Sequence, residues 1–157
     1  MNAKVELSGD AIADWLPDES LCETWINAAL ACADKHGHYV VSVRFVDESE
    51  STAINNQYRG KNSASNVLSF PANIPGNISS LLEFEPLGDI VLCPEIVAEE
   101  ADSQDKSLAS HWAHLLIHGL LHLLAYDHQH RGGGEVMEAL EIKALERLGI
   151  PNPYLVV

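Results

Sequence analysis

Basic residues are scarce in this 157-residue chain, where nine Lys and Arg stand against 23 Asp and Glu for a formal charge of -14. That balance argues against the broad basic footprint by which most nucleic-acid binders hold phosphates, although a local basic site can exist on an acidic body. Cysteine is also sparse. Cys22, Cys32 and Cys93 are odd in number and widely spaced, with no C-x-x-C pair. This pattern suits buried structural thiols in a reducing compartment, and a cytoplasmic location is expected. Long hydrophobic runs are missing too: the longest, 113–126, is too short for a bilayer and is interrupted by His and Gly, so no membrane partner is expected. The opening residues MNAKVELSGDAIADW lack the basic start and apolar run of a secretory signal, so export is not expected. No repeat, low-complexity tract or Pro/Ser-rich linker divides the chain. With 46% hydrophobic residues, 1–157 is read as one domain around one core.

What is present alternates between two periods. Residues 39–46, YVVSVRFV, are rich in β-branched and aromatic side chains, with Val41, Val43 and Phe45 alternating against Ser42 and Arg44, and so predict a strand. Residues 5–7, the apolar 66–71 and the buried-looking 87–93 supply further strand candidates. Helical spacing of Leu21, Trp25, Ala28 and Ala29 predicts a helix over 18–34, and others follow at 48–58, 94–103, 107–124 and 135–148. Pro94 opens one of these helices and Gly149 closes another. Residues 59–65 read as a polar loop, and 73–80, with Pro and Gly, as a flexible stretch. Strands concentrate early and helices late. The reading is an α/β (α+β) fold, a small mixed sheet of about four strands packed with about five helices.

Six of the eight histidines fall between residues 111 and 130. On a helix His118 and His122 stand one turn apart on one face, so both imidazoles can reach one ion. His128 follows six residues later, and a sharp turn near Ala125 would fold it back to complete three nitrogen ligands with an open position. The spacing H-x3-H-x5-H equals that of the metzincin zinc proteases, H-E-x-x-H-x-x-G-x-x-H. Gly119 stands where those proteases carry their general base, which removes peptidase chemistry as usually built. Ala125 stands where they carry the turning Gly, and holding Ala in the left-handed conformation costs roughly 1–2 kcal/mol. Zinc is the expected ion, one per chain, although three imidazoles also accept nickel or other divalent cations. His111 and His130, flanking the cluster, read as surface residues. His114 could steady a ligand, donate a proton or be a satisfied core residue. Glu95, Glu99 and Glu100 read as a solvated helix face.

Residues 118–128, HGLLHLLAYDH, are similar to the metal signature H-G-x-L-H-L-x-G-Y-D-H of the YbeY family, departing only at Ala125. Residues 58–61, YRGK, and 65–71, SNVLSFP, resemble that family's Y-R-x-K and T-N-V-L-S-F-P with Ser65 for Thr, and LGDI at 87–90 matches a third block. The family comprises bacterial rRNA maturation factors described as metal-dependent, single-strand-specific endoribonucleases. The resemblance implies a zinc site at the C-terminal end of a central helix, held by His118, His122 and His128. It also implies catalytic roles for Arg59 and His114 in RNA cleavage. Further, it implies action in 16S rRNA 3′-end maturation and ribosome quality control, with single-stranded rRNA and the ribosome or ribosomal proteins as partners.

Three neutral imidazoles leave the charge of Zn²⁺ uncancelled, so a bound water can have its pKa lowered to about 7. Arg59, with its planar fork of donors, suits the negative charge that develops on a phosphodiester, and Lys61 could assist. His114 could pass a proton to the leaving oxygen, and Asp127 could orient a ligand imidazole. Two alternatives stay open: a metal-dependent hydrolase of another substrate such as a peptide, and a ribosome assembly factor in which zinc is structural.

Overall fold

The computed structural model describes residues 3–11, 13, 15–126 and 133–155. In chain order the elements are β1 (Ala3–Ser8), α1 (Glu19–Cys32), β2 (Tyr39–Phe45), α2 (Glu48–Arg59), β3 (Val67–Pro71) and α3 (Gly76–Ser79). They are followed by β4 (Glu85–Leu92), α4 (Pro94–Ser103), α5 (Leu108–Leu123) and α6 (Gly133–Arg147). The helices begin where the sequence offers a side-chain acceptor to an unpaired N–H. Asp18 accepts from Leu21 N, Asp47 from Glu50 N and Ser107 from Ser110 N. The segment read as flexible, 73–80, contains the four-residue α3, which makes a sixth helix.

The four strands form one mixed sheet in the order β1-β2-β4-β3, with the first three parallel and β3 antiparallel to β4. Strand alternation divides the sheet's two faces. Ala3, Val5, Val41, Val43, Phe45, Ile90 and Leu92 point into the main core with residues of α1, α5 and α6. On the other face Leu68 and Val91 meet Val46, and Ile54 of α2 packs on them. The α5 residues Trp112, Leu116, Ile117, Leu120 and Leu121 are fully buried, each worth roughly 1.5–3 kcal/mol relative to exposure. Cys22 and Cys93 are buried free thiols and Cys32 is half-buried. Burial, reinforced by Asp18, Glu23 and Glu19, pushes the Cys22 thiol up to about 12, which keeps it unreactive.

β3 is an edge strand whose outer side is largely satisfied from within. Cys93 N donates to Asn66 O and Ala72 N to Leu87 O, so the even-numbered residues of this strand bond inward and the odd ones face out. Of these, Val67 N–H donates to Asn66 Oδ1 at 2.7 Å, Val67 O accepts from Ser65 Oγ at 3.0 Å, and Pro71 has no N–H. No helix among the described residues is long and apolar enough to cross a membrane.

Candidate active site

The close seating of α5 on the sheet comes from Gly119. A Cβ at that position would lie 2.9 Å from Ile90 Cγ2, 3.2 Å from Ser69 Oγ and 3.3 Å from Val67 Cγ2, and Ser69 Oγ donates to Gly119 O at 2.9 Å. A side chain at 119 would therefore be driven against the sheet. The neighbouring positions His118 and His122 lie half-buried along the other border of the helix, and their Nε2 atoms face each other at 3.1 Å.

The helix then ends in a tight left-handed turn. Tyr126 N donates to Leu121 O and Ala125 N to His122 O, the two bonds of a Schellman cap, with Ala125 at φ 74. The sharp turn expected here is thus present, and Ala takes the position that usually falls to Gly. His128, Asp127 and His130 lie outside the described residues.

His118 and His122 open into a cleft of about 730 Å³ whose other walls are Tyr58, Arg59 and residues 65–71. Arg59 is the last residue of α2, exposed, where its charge complements the helix's carbonyl end before Gly60 turns the chain at φ 69. The loop that follows is tied back to α2: Asn55 Nδ2 donates to Ser63 O, Ser51 Oγ to Ser65 O, and Ser65 N to Ser51 Oγ. These bonds set the guanidinium-bearing helix end against β3, while exposed Tyr58 lies edge-on to Phe70 at 5.1 Å. The exposed Lys61 is not among the cleft's lining residues.

Behind the histidines stands a residue that the motif reading did not single out. Glu141 on α6 is fully buried. Its Oε2 accepts from His118 Nδ1 at 3.1 Å, and its Oε1 accepts from His114 Nε2 at 2.6 Å and from the Tyr154 hydroxyl at 2.5 Å. Burial pushes this carboxyl up, but the donors His114, His118 and Tyr154 together outweigh it and hold the group at about 2, ionised. The signal lay in the helix period: Glu141 falls on the same stripe as buried Met137, Ala144 and Leu145. His114 faces away from the cleft and lines a second cavity of about 730 Å³ with 104–107, Ser110 and residues after α6.

Two expectations are corrected by packing. His111 is buried, at 3% exposure, because α4 covers the first turn of α5, and its Nε2 donates to Glu100 Oε1 at 2.9 Å. Glu100 is accordingly only partly solvated, for it also accepts from Asn66 Nδ2 and so joins α4, α5 and the start of β3. Glu95 and Glu99 are exposed as expected.

The two imidazoles fit a cation. Nitrogens on one tetrahedral zinc, each about 2.0–2.1 Å from it, stand roughly 3.3 Å apart, close to the 3.1 Å between these Nε2 atoms. Nδ1 of His118 is committed to a carboxylate, so its proton resides there and Nε2 keeps the lone pair. Among the described residues no group of three or more His, Cys, Asp or Glu forms a complete metal-holding set.

The fold is α/β, and its cleft sets two imidazoles and a guanidinium along one wall-lined space. The family model for endoribonuclease YbeY matches residues 11–149. An endoribonuclease YbeY from Alkalilimnicola ehrlichii is 45% identical over 139 residues, covering 88% of this chain and 82% of the relative. One from Pseudomonas putida is 46% identical over 138 residues, covering 88% and 85%. A solution structure of a Thermotoga maritima protein shares the fold with a TM-score of 0.56 at 24% identity, covering 92% of this chain and 91% of the other. The chain belongs to the endoribonuclease YbeY family.

Proposed function

We propose that this protein is a cytoplasmic, metal-dependent endoribonuclease that cuts single-stranded RNA in rRNA processing, with one zinc ion on His118, His122 and His128. The observation that carries this reading is the meeting of Arg59, His118 and His122 in one cleft, in a chain of the YbeY family. When bound, the ion would supply a Lewis acid and a water with its pKa lowered to about 7.

The chain's own residues account for the rest. Arg59 would hold the scissile phosphate by its forked donors and stabilise the charge that builds on the non-bridging oxygens. Tyr58 offers an exposed ring to an unstacked base, a contact open to single strands and closed to a paired helix. Glu141 keeps His118 in the tautomer that a cation needs. His114, bonded to Glu141 and outside the cleft's lining, is better placed to steady that carboxylate than to reach a leaving oxygen.

The net charge of -14 favours a second element in this reading, delivery to RNA through a basic ribosomal protein. The test is cleavage of a labelled single-stranded RNA by zinc-loaded protein beside the chelated form, His118→Ala and Arg59→Ala. Cutting that needs metal and both side chains supports a nuclease. A stable zinc complex that leaves RNA intact would instead favour an assembly factor with structural zinc.

A further inference from the structure

Of the three donors on Glu141, two come from α5 and one comes from beyond the helices. Tyr154 follows α6 and lies past residue 149, where the match to the family ends. The segment that carries it is shaped for delivery. Gly149 turns the chain out of α6 at φ 74, Pro151 and Pro153 restrict the backbone, and Tyr154 N–H donates to Asn152 Oδ1 at 2.8 Å. The ring lands edge-on against His114, with centroids 5.4 Å apart and planes at 86°. Much of Tyr154 stays exposed, at 39%, while its hydroxyl reaches the fully buried carboxylate.

The end torsion of a glutamate side chain is broad, so a carboxylate is aimed by its partners and not by its own rotamer. Here Oε1 receives two donors, Tyr154 and His114, and that double hold fixes the plane in which Oε2 meets His118. Removing the hydroxyl leaves Oε1 with one donor and the carboxylate freer to turn away from His118.

We infer that Tyr154 is a positioning residue: acting through Glu141, its hydroxyl holds the His118 imidazole in the orientation that presents Nε2 to a cation. This rests on the metal reading above. Tyr154 lies outside the segment matched by the family model.

Tyr154→Phe removes only the hydroxyl and keeps the ring, whereas Tyr154→Ala removes both. In the full-length chain, zinc affinity would be measured by competition with a chromophoric chelator. The thermal midpoint of the chelated protein and the proton resonance of His118 Nδ1–H would be followed alongside. Expected is a loss of zinc affinity of about tenfold in both variants, the lower end of what losing such an outer partner does. The Nδ1–H signal should broaden, and the Phe variant's chelated midpoint should stay within a few degrees of the parent. Wild-type affinity in Tyr154→Phe, with only the Ala variant weakened, would overturn the inference and leave a packing role for the ring. Failure of the unaltered chain to bind zinc would overturn the metal reading, and this inference with it.

Discussion

Glu141 on α6 and His118 on α5 are joined by a 3.1 Å bond from Nδ1 to Oε2, which makes a buried charge the support of an imidazole at the cleft. In Glu141→Gln the amide must turn its NH₂ toward one of the ring donors, so one contact becomes donor against donor. The expected result is zinc affinity lowered by about 10–100-fold, with helix content retained. Calorimetric titration with zinc beside circular dichroism checks this, and unchanged affinity would remove Glu141 from the proposed site.

Ala125 sits in the left-handed turn at φ 74. Relief of roughly 1–2 kcal/mol of strain by glycine is partly offset by its extra chain entropy of about 0.5–1 kcal/mol. Ala125→Gly should therefore stabilise the chelated protein by up to about 1 kcal/mol, and Ala125→Val should destabilise it. Urea unfolding of the three proteins measures both signs, and a glycine variant less stable than the parent would contradict the strain argument.

Gly119 faces Ile90, Ser69 and Val67 on the sheet. Installing the protease base at this position would bury a carboxylate against the sheet, so Gly119→Glu should cost several kcal/mol and yield no peptidase activity. A stably folded variant that digests casein would show that the helix can rotate and that this packing is not obligatory.

His111 gives a pH prediction. Burial lowers its pKa below 6.5, more than Glu100 raises it, with Lys106 and His114 also lowering it. The unfolded chain thus takes up this proton first, and folding stability falls as pH drops below 6.5 toward the folded value. Between pH 7.5 and 5.5 the parent should lose more stability than His111→Gln, by at most about 1.4 kcal/mol per pH unit. Denaturant midpoints across that range decide it, and parallel curves would exclude the histidine as the titrating group.

Much of the architecture is legible in the chain because local periods agree with tertiary burial. Val41, Val43 and Phe45 alternate in the sequence and are buried in the core, and Asp18, Asp47 and Ser107 announce the helices they cap. The strand order β1-β2-β4-β3 is not legible, since it depends on which buried faces meet across long separations. In the site, the placement of His118, His122 and the turn at Ala125 follows from spacing, while the approach of Arg59 depends on buried bonds from Ser51 and Asn55. His111 and Glu100 were misread for one reason: exposure on a helix depends on the neighbour packed against it, α4 for His111 and α5 for Glu100, and the period within one helix does not record that.

The sealed outer margin of β3 bears on what the cleft can accept. A polypeptide entering a groove beside a sheet gains most of its hold by continuing the hydrogen-bond ladder. Here Val67 is occupied by Ser65 and Asn66, and Pro71 offers no donor, which leaves Ser69 as the one residue of the strand with both groups available. Among the described residues, then, the strand offers a foreign peptide or a second copy of the chain few rungs beyond Ser69 on which to extend the ladder. A polymer recognised through its charges and rings, with no need of a ladder, meets no such obstacle.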